Sequence, residues 1–144
     1  MGHRDKVKKL GRTKPHREAM LANMAMSLFQ HRMIRTTDAK AKALRPVVDR
    51  IITTAKKDTL ASKRQVAKTI HVKEVYQKLY KEILPELQDR ESGYCRVMKL
   101  GVRRGDGAPL SVVELMIERK AEETSDKKKA KKKAKKDKKD KAEA

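Results

Sequence analysis

Regular apolar spacing is confined to the middle of this chain, and that confinement limits the fold more than any other feature. Between residues 18 and 117, leucine, isoleucine, valine and methionine recur at helical or strand spacing, whereas lysine dominates both flanks. Flanks so poor in large apolar side chains cannot bury a core. The sequence therefore predicts one small globular domain over 18–117, with a basic arm over 1–17, a linker over 118–125 and a low-complexity Lys/Ala tail over 126–144.

Helical spacing accounts for most of the predicted domain. The apolar stripe of the first helix consists of Met20, Leu21, Met24 and Leu28, with Ala19 and Ala25 alongside. The second helix should begin at Thr36-Thr37, which are both able to cap it, and Pro46 should either kink it or mark its true first turn. The four predicted helices cover residues 17–32, 36–57, 60–70 and 72–84, the last of them ending before Pro85.

Beyond Pro85 the pattern changes to that of strands. Tyr94–Leu100 and Leu110–Ile117 are rich in strand-forming residues, and the glycine-rich segment Gly101–Pro109 between them predicts a β-hairpin with a long basic tip. Met33–Thr36 is a candidate third strand. The predicted fold class is therefore α+β: helices packed with a small two- or three-stranded antiparallel sheet, an extended basic N-terminal arm and a disordered Lys-rich C-terminal tail.

The charge of the chain indicates what it binds. Lysine and arginine total 39 against 19 aspartate and glutamate residues, which gives a formal net charge of +20 and a pI of about 10.2. The tail contributes +7, so +13 remains on residues 1–125, and the folded part is basic by itself. Such self-repulsion needs a counter-charge, and a polyanion supplies one while releasing its own counterions. The composition therefore predicts a nucleic-acid partner.

Residue types that catalyse reactions or bind metals are present, but not in the required arrangements. The four histidines are scattered without partner cysteines, the serines lie in no nucleophile turn, and the loop Gly101–Gly107 lacks the spacing of a nucleotide-binding loop. Cys95, the only cysteine, lies in a predicted strand, where a buried and inert thiol is expected. We therefore predict that the chain is not an enzyme and has no cofactor, metal site or small-molecule substrate.

The expected location follows from similar absences. A lone cysteine suits a reducing compartment. No apolar run approaches the roughly 18 residues of a membrane span, and no apolar segment follows the basic N-terminus as in a signal peptide. The sequence predicts a cytoplasmic protein without a membrane partner.

Three groups of residues are predicted to contact RNA. The first lies along the arm, which could thread between RNA helices, and consists of His3, Arg4, Lys6, Lys8, Lys9, Arg12, Lys14, His16 and Arg17. The second lies around the start of the second helix, whose free N–H groups attract phosphate, and consists of Arg35, Thr36, Thr37, Lys40, Lys42 and Arg45. The third lies on the hairpin and consists of Arg96, Lys99, Arg103 and Arg104. Each group also has a simpler interpretation. The arm would be a solubility tag, the threonines would only cap the second helix, and the hairpin tip would be an ordinary solvated loop.

Five ordered segments carry a resemblance to a known family. They are Lys9–Arg12 with His16–Leu21, Thr36–Lys42 with Leu44-Arg45, Ile51–Thr53, Gly93–Gly101 and Arg103–Pro109. Together, they resemble the bacterial large-subunit ribosomal protein L-seventeen (L17) family. The chain starts Met-Gly-His-Arg where the family usually starts Met-Arg-His, and the Lys-rich tail lies outside the shared region.

The resemblance implies a structural constituent of the large ribosomal subunit. It implies binding to 23S rRNA near the exit of the nascent-peptide tunnel, with ribosomal proteins L-twenty-two and L-thirty-two as neighbours. It also implies helices packed with a small sheet and an N-terminal arm on RNA. The alternative is an architectural DNA-binding protein of the nucleoid, which explains the tail but not the combination of arm and arginine loop.

Overall fold

The structure, a computed structural model, describes residues 8–117 and has the α+β architecture that the sequence predicts. The helices are α1 (Lys14–His31), α2 (Asp38–Lys56), α3 (Leu60–Thr69), α4 (Lys73–Lys78) and α5 (Leu84–Glu86). The strands are β1 (Met33–Thr37), β2 (Cys95–Val102) and β3 (Pro109–Leu115). The predicted linker and tail, and the first seven residues of the arm, lie outside the described residues.

The three strands form one antiparallel sheet in the order β1-β3-β2. The predicted hairpin of β2 with β3 and the predicted third strand are thus both confirmed. Ile34, Val113 and Val97 stand side by side across the sheet, and Val113 at the centre is fully buried against the helices. The register of β2 shifts between Lys99 and Gly101, where Gly101 has a φ of 127° that few other residues adopt.

The apolar face of α1 differs in phase from the predicted stripe. Leu28 is fully buried as predicted, but the other fully buried positions on this helix are Ala25 and Phe29. Met20 and Met24 are only partly buried, so the stripe read from the large aliphatic residues was rotated. Ala25 and Phe29 lie in the same core cluster as Leu44 and Ile52 of α2, whereas Met20 and Met24 border a cleft beside β1.

Helix α2 begins at Asp38, directly after the predicted capping pair Thr36-Thr37, and both threonines also belong to β1. Thr37 is the N-cap residue, but its side chain makes no capping hydrogen bond. Asp38 supplies the negative charge that a helix N-terminus favours instead. Pro46 lies well inside the helix, so the interpretation that it marks the first turn was wrong.

The last helical segment continues past the proline that was predicted to end it. After α4 the chain widens into a π-helical turn over Leu79–Ile83, in which the N–H of Leu84 donates to the carbonyl of Leu79. Pro85 then occupies the first turn of α5, where a missing N–H and a fixed φ are tolerated. The wider turn therefore provides a helical path that accommodates the proline.

A carboxylate fastens α2 to the start of the sheet. The N–H of Tyr94 donates to Oδ1 of Asp49 at 3.2 Å, and the Sγ of Cys95 lies 4.0 Å from the same oxygen. Cys95 is buried, and burial together with the negative charge of Asp49 raises the pKa of its thiol to about 12.

We expect the Cys95 thiol to be unreactive in the folded protein, because both burial and the neighbouring carboxylate disfavour the thiolate. A chromogenic disulfide reagent at about pH 8 should titrate almost no thiol in the native protein and a full equivalent in guanidinium chloride. Equal reaction rates in the two conditions would show that this thiol is exposed.

Candidate nucleic-acid interface

The turn after α1 sends the chain back along that helix. Arg32, between α1 and β1, has a left-handed backbone with a φ of 62°, and its N–H donates to the carbonyl of Leu28 at 2.7 Å. β1 then lines one cleft together with a face of α1 that extends back to His16 in the first turn. Thr37, the last residue of β1, therefore lies toward the N-terminal end of α1.

The start of α2 and the hairpin loop lie toward the same end. The Asp38 carboxylate, in the first turn of α2, accepts a hydrogen bond from the Ser111 hydroxyl at 3.1 Å. Ser111 stands between Thr36 and Lys99 in the sheet. The hydrogen bond from Lys42 chiefly lowers the pKa of Asp38, and the positive charge of Lys99 lowers it further. From Lys99, β2 runs on into the hairpin loop. The N-terminal end of α1, the end of β1, the start of α2 and the hairpin loop therefore lie at the same end of the molecule.

We call this side of the molecule the cationic end, defined by residues 8–17, 35–42 and 99–104. It brings together these predicted contact residues: Lys8, Lys9, Arg12, Lys14, His16, Arg17, Arg35, Thr36, Thr37, Lys40, Lys42, Lys99, Arg103 and Arg104. The N-termini of α1 and α2 both lie there, so both helix dipoles present their positive ends.

Two of the predicted contacts, Arg45 and Arg96, are not gathered at the cationic end. Arg45 lies further along α2, where its Nε is 3.9 Å from Oδ2 of Asp49. Arg96 lies at the opposite end of β2, and its Nη1 is 3.7 Å from Oε1 of Glu114. His3, Arg4 and Lys6 lie outside the described residues.

The described part of the predicted arm, residues 8–17, is a turn followed by the start of α1. Leu10 and Gly11 both have positive φ, and the N–H of Arg12 donates to the carbonyl of Lys9 at 3.1 Å. Residues 14–17, which the sequence assigned to the arm, form the first turn of α1 because Pro15 favours that position. That turn carries no acidic residue, so nothing in it offsets its basic side chains.

Several cations at the cationic end have no carboxylate partner. Lys42 pairs with Asp38 at 2.7 Å, and Lys14 lies 4.0 Å from Glu18 in an exposed contact of little energetic weight. Within residues 8–117, the cations here that make no ion pair are Lys8, Lys9, Arg12, Arg17, Arg35, Lys40, Lys99 and Arg104. Their charge is available to an external anion.

The two arginines of the hairpin loop differ in whether they form an ion pair within the described residues. Nε and Nη2 of Arg103 lie 2.9 and 2.6 Å from the two carboxylate oxygens of Asp106. This bidentate pair, helped by the N–H of Ala108, lowers the pKa of Asp106 to about 2. Arg103 therefore holds the loop in shape, whereas Arg104 forms no ion pair within the described residues. The i,i+3 spacing of Arg103 and Asp106 was the sequence signal for this pairing, and it was overlooked.

Acidic and basic residues are mixed at the opposite side, which we call the far end and define by Arg32 and residues 82–94. Arg32 pairs there with Glu82 at 3.3 Å and Glu86 at 3.7 Å. Asp89 and Glu91 follow with Arg90 between them, and the Nζ of Lys56 donates to the carbonyl of Gln88 in the same segment. α1, with 18 residues, separates the two ends by about 27 Å at 1.5 Å per residue. Summing charge by segment would have revealed this difference between the two ends, whereas the overall net charge conceals it.

Comparison with known proteins identifies the family. A sequence model described as "Ribosomal protein L17" matches residues 20–116. The chain belongs to the ribosomal protein L17 family. The match runs from α1 to just past the end of β3, so it covers the whole sheet and nearly all of the helices. The resemblance read from the five sequence segments is thereby confirmed.

Three relatives that are similar in sequence to this chain are each named "Large ribosomal subunit protein bL17". The protein of Rubrobacter xylanophilus is 49% identical over 119 residues, which are 83% of this chain and 98% of the relative. The protein of Geobacter sulfurreducens is 49% identical over 118 residues, 82% of this chain and 67% of the relative. The protein of Geobacter metallireducens is 48% identical over 118 residues, which are 82% of this chain and 66% of the relative.

Membership of L17 places the chain among the proteins of the large ribosomal subunit and not among enzymes. Within residues 8–117 there is no group of three or more histidine, cysteine or acidic side chains arranged to hold a metal ion. In the same part of the chain, no helix is both long enough and apolar enough to cross a membrane.

Proposed function

We propose that this chain binds 23S rRNA through its cationic end, as a constituent of the large ribosomal subunit in the cytoplasm. The observation that supports this most is the convergence of the first turn of α1, the start of α2 and the hairpin loop on one side of the molecule. By the family resemblance, the site lies near the exit of the peptide tunnel. The neighbours would be proteins of the L-twenty-two and L-thirty-two families.

The proposed contacts are chiefly to phosphate oxygens. Lys40 and Lys99 act as point charges, while Arg35 and Arg104 offer planar forks for bidentate contacts. The free N–H groups in the first turns of α1 and α2 add donors at the positive ends of two helix dipoles. Arg103 contributes by holding the loop on which Arg104 is presented.

A charge-neutralised variant tests this proposal. Arg35→Gln, Lys40→Gln, Lys99→Gln and Arg104→Gln together remove four cations that make no ion pair in the described structure. The slope of log affinity against log salt for 23S rRNA should fall in magnitude by about 3, at roughly 0.7–0.9 per lost phosphate contact. The melting temperature should change little, because these side chains lie outside the core.

The matched control removes four cations from α3 and its flanks. It carries Lys57→Gln, Arg64→Gln, Lys68→Gln and Lys73→Gln, whose native side chains are exposed and make no ion pair in the described residues. This control should keep the wild-type slope. Equal slopes in both variants would mean that binding follows total charge, which is what the nucleoid-type DNA-binding alternative predicts. Sedimentation of a lysate then distinguishes migration with large subunits from migration with chromosomal DNA.

A further inference from the structure

An open cleft separates α1 from β1, and the phosphate-binding residues described above do not account for it. Its volume is about 510 Å³. The helix wall consists of His16, Ala19, Met20, Asn23, Met24 and Ser27, which recur every three or four residues and so share one face of α1. The strand wall consists of Ile34, Arg35 and Thr36. The cleft opens beside the cationic end, because His16 and Arg35 belong to both.

The lining combines an apolar surface with unused polar groups. Met20, Met24 and Ile34 are partly buried and provide the apolar surface. The side chains of Asn23 and Arg35 are exposed and form no hydrogen bond or ion pair within residues 8–117. No aspartate or glutamate lines the cleft, so nothing there repels an anion. Aliphatic walls with a few well-placed polar groups are typical of sites for small planar ligands.

This chemistry matches one nucleotide turned out of an RNA helix. An unstacked base is a flat, polarizable ring with donors and acceptors along its edge, and proteins recognise RNA sequence mainly on such bases. Thioethers make favourable contacts with aromatic rings, which matters in a chain with no tryptophan and few other aromatic residues. A planar amide offers a donor and an acceptor side by side, as the edge of a base requires. The volume lies within the range of about 300–1,000 Å³ of small-ligand sites.

We propose that the cleft binds a single unstacked nucleotide of the RNA held at the cationic end. The base lies over Met20 and Met24, the Asn23 amide contacts its edge, and the Arg35 guanidinium contacts the adjoining phosphate. This inference rests on the proposed function and adds sequence selectivity to it, since phosphate contacts position a protein while base contacts specify the sequence.

The test compares two amide variants on the same helix. Asn23→Ala removes the amide inside the cleft, and Gln30→Ala removes an exposed amide of α1 outside it. The probes are transcribed 23S rRNA and transcribed 16S rRNA. Asn23→Ala should weaken binding to 23S rRNA by about 10-fold, the order expected for one lost base contact, with an unchanged salt slope and unchanged binding to 16S rRNA. Gln30→Ala should match the wild type. Both positions are exposed, so both variants should melt like the wild type.

Cross-linking supplies a second measurement that does not depend on a variant. Irradiation of the wild-type protein with 23S rRNA containing 4-thiouridine should yield cross-linked peptides from the stretches 16–27 and 34–36. Wild-type affinity for Asn23→Ala, together with cross-links confined to 8–15 and 99–104, would overturn the nucleotide site and leave rRNA binding intact. If the cleft is protected in assembled subunits but not by naked RNA, its occupant is a segment of another protein. That result would also overturn this proposal. A wild-type protein that binds 16S and 23S rRNA equally would instead refute the proposed function itself.

Discussion

Removal of residues 1–12 is expected to weaken binding to 23S rRNA by roughly 10³-fold near 0.1 M salt, while leaving the domain folded. The deleted stretch contains five cations, Arg4, Lys6, Lys8, Lys9 and Arg12. If each meets one phosphate, the magnitude of the log–log salt slope falls by about 3.5–4.5. Thr13, the N-cap residue of α1, is retained, so the helix should start where it does in the full chain. Filter binding over a salt series gives the slope, and thermal unfolding gives the stability.

A shuffled arm provides the control for this deletion. A chain whose residues 2–12 keep their composition but change their order has the same charge and a different path. If the arm acts only by attraction, the shuffled chain should bind as the wild type does. If its path matters, affinity should fall while the salt slope stays high. A deletion that leaves both affinity and slope unaltered would exclude any role of the arm in RNA binding.

Leu28→Ala should lower the free energy of unfolding by about 2–5 kcal/mol, a large share of the stability of a small domain. Leu28 is fully buried in α1, in the same cluster as Leu44 and Ile52 of α2, so truncation leaves a cavity that the neighbouring helix cannot easily fill. Urea titration followed by circular dichroism measures the change.

Leu60→Ala serves as the matched control, since Leu60 is 65% exposed and its truncation should change the free energy by less than about 0.5 kcal/mol. Under conditions in which the variant is folded, Leu28→Ala should bind 23S rRNA with the wild-type dependence of log affinity on log salt, because the substitution removes no charge. Identical urea midpoints for Leu28→Ala and the wild type would contradict the packing of α1 described here.

Sequence periodicity predicted which helices and strands form. It predicted less accurately which face of a helix is buried and where each element begins and ends. The three strands were found because alternation and glycine placement are local signals. The face of α1 was misassigned because the stripe was placed on Met20, Leu21 and Met24, which are only partly buried, whereas Phe29 and Ala25, which was placed only alongside the stripe, are fully buried. The passage through Pro85 was unpredictable from propensity, since it depends on the wide turn formed by the five preceding residues.

The candidate site shows a similar division. The cations themselves were evident from composition, but their grouping depends on the reversal at Arg32, which brings β1 back along α1. The pairing of Arg103 with Asp106 distinguishes two adjacent arginines that the sequence treats as equivalent. Arg96 was grouped with the hairpin loop because both lie on the hairpin, although the length of β2 separates them.

The uneven distribution of unpaired charge along α1 affects how this protein meets its partner. Within residues 8–117, unpaired cations lie at one end, whereas Glu82 and Glu86 at the other end, about 27 Å away, are paired with Arg32, so the unpaired positive charge is concentrated on one side. An approaching polyanion therefore attracts the cationic end more strongly than the far end, and this difference exerts a torque before any atoms touch. Within roughly one Debye length, about 10 Å at 0.1 M salt, this torque turns the first turn of α1 toward the nucleic acid. A greater fraction of collisions then begins in a productive orientation, and added salt should slow the association rate more than it speeds dissociation.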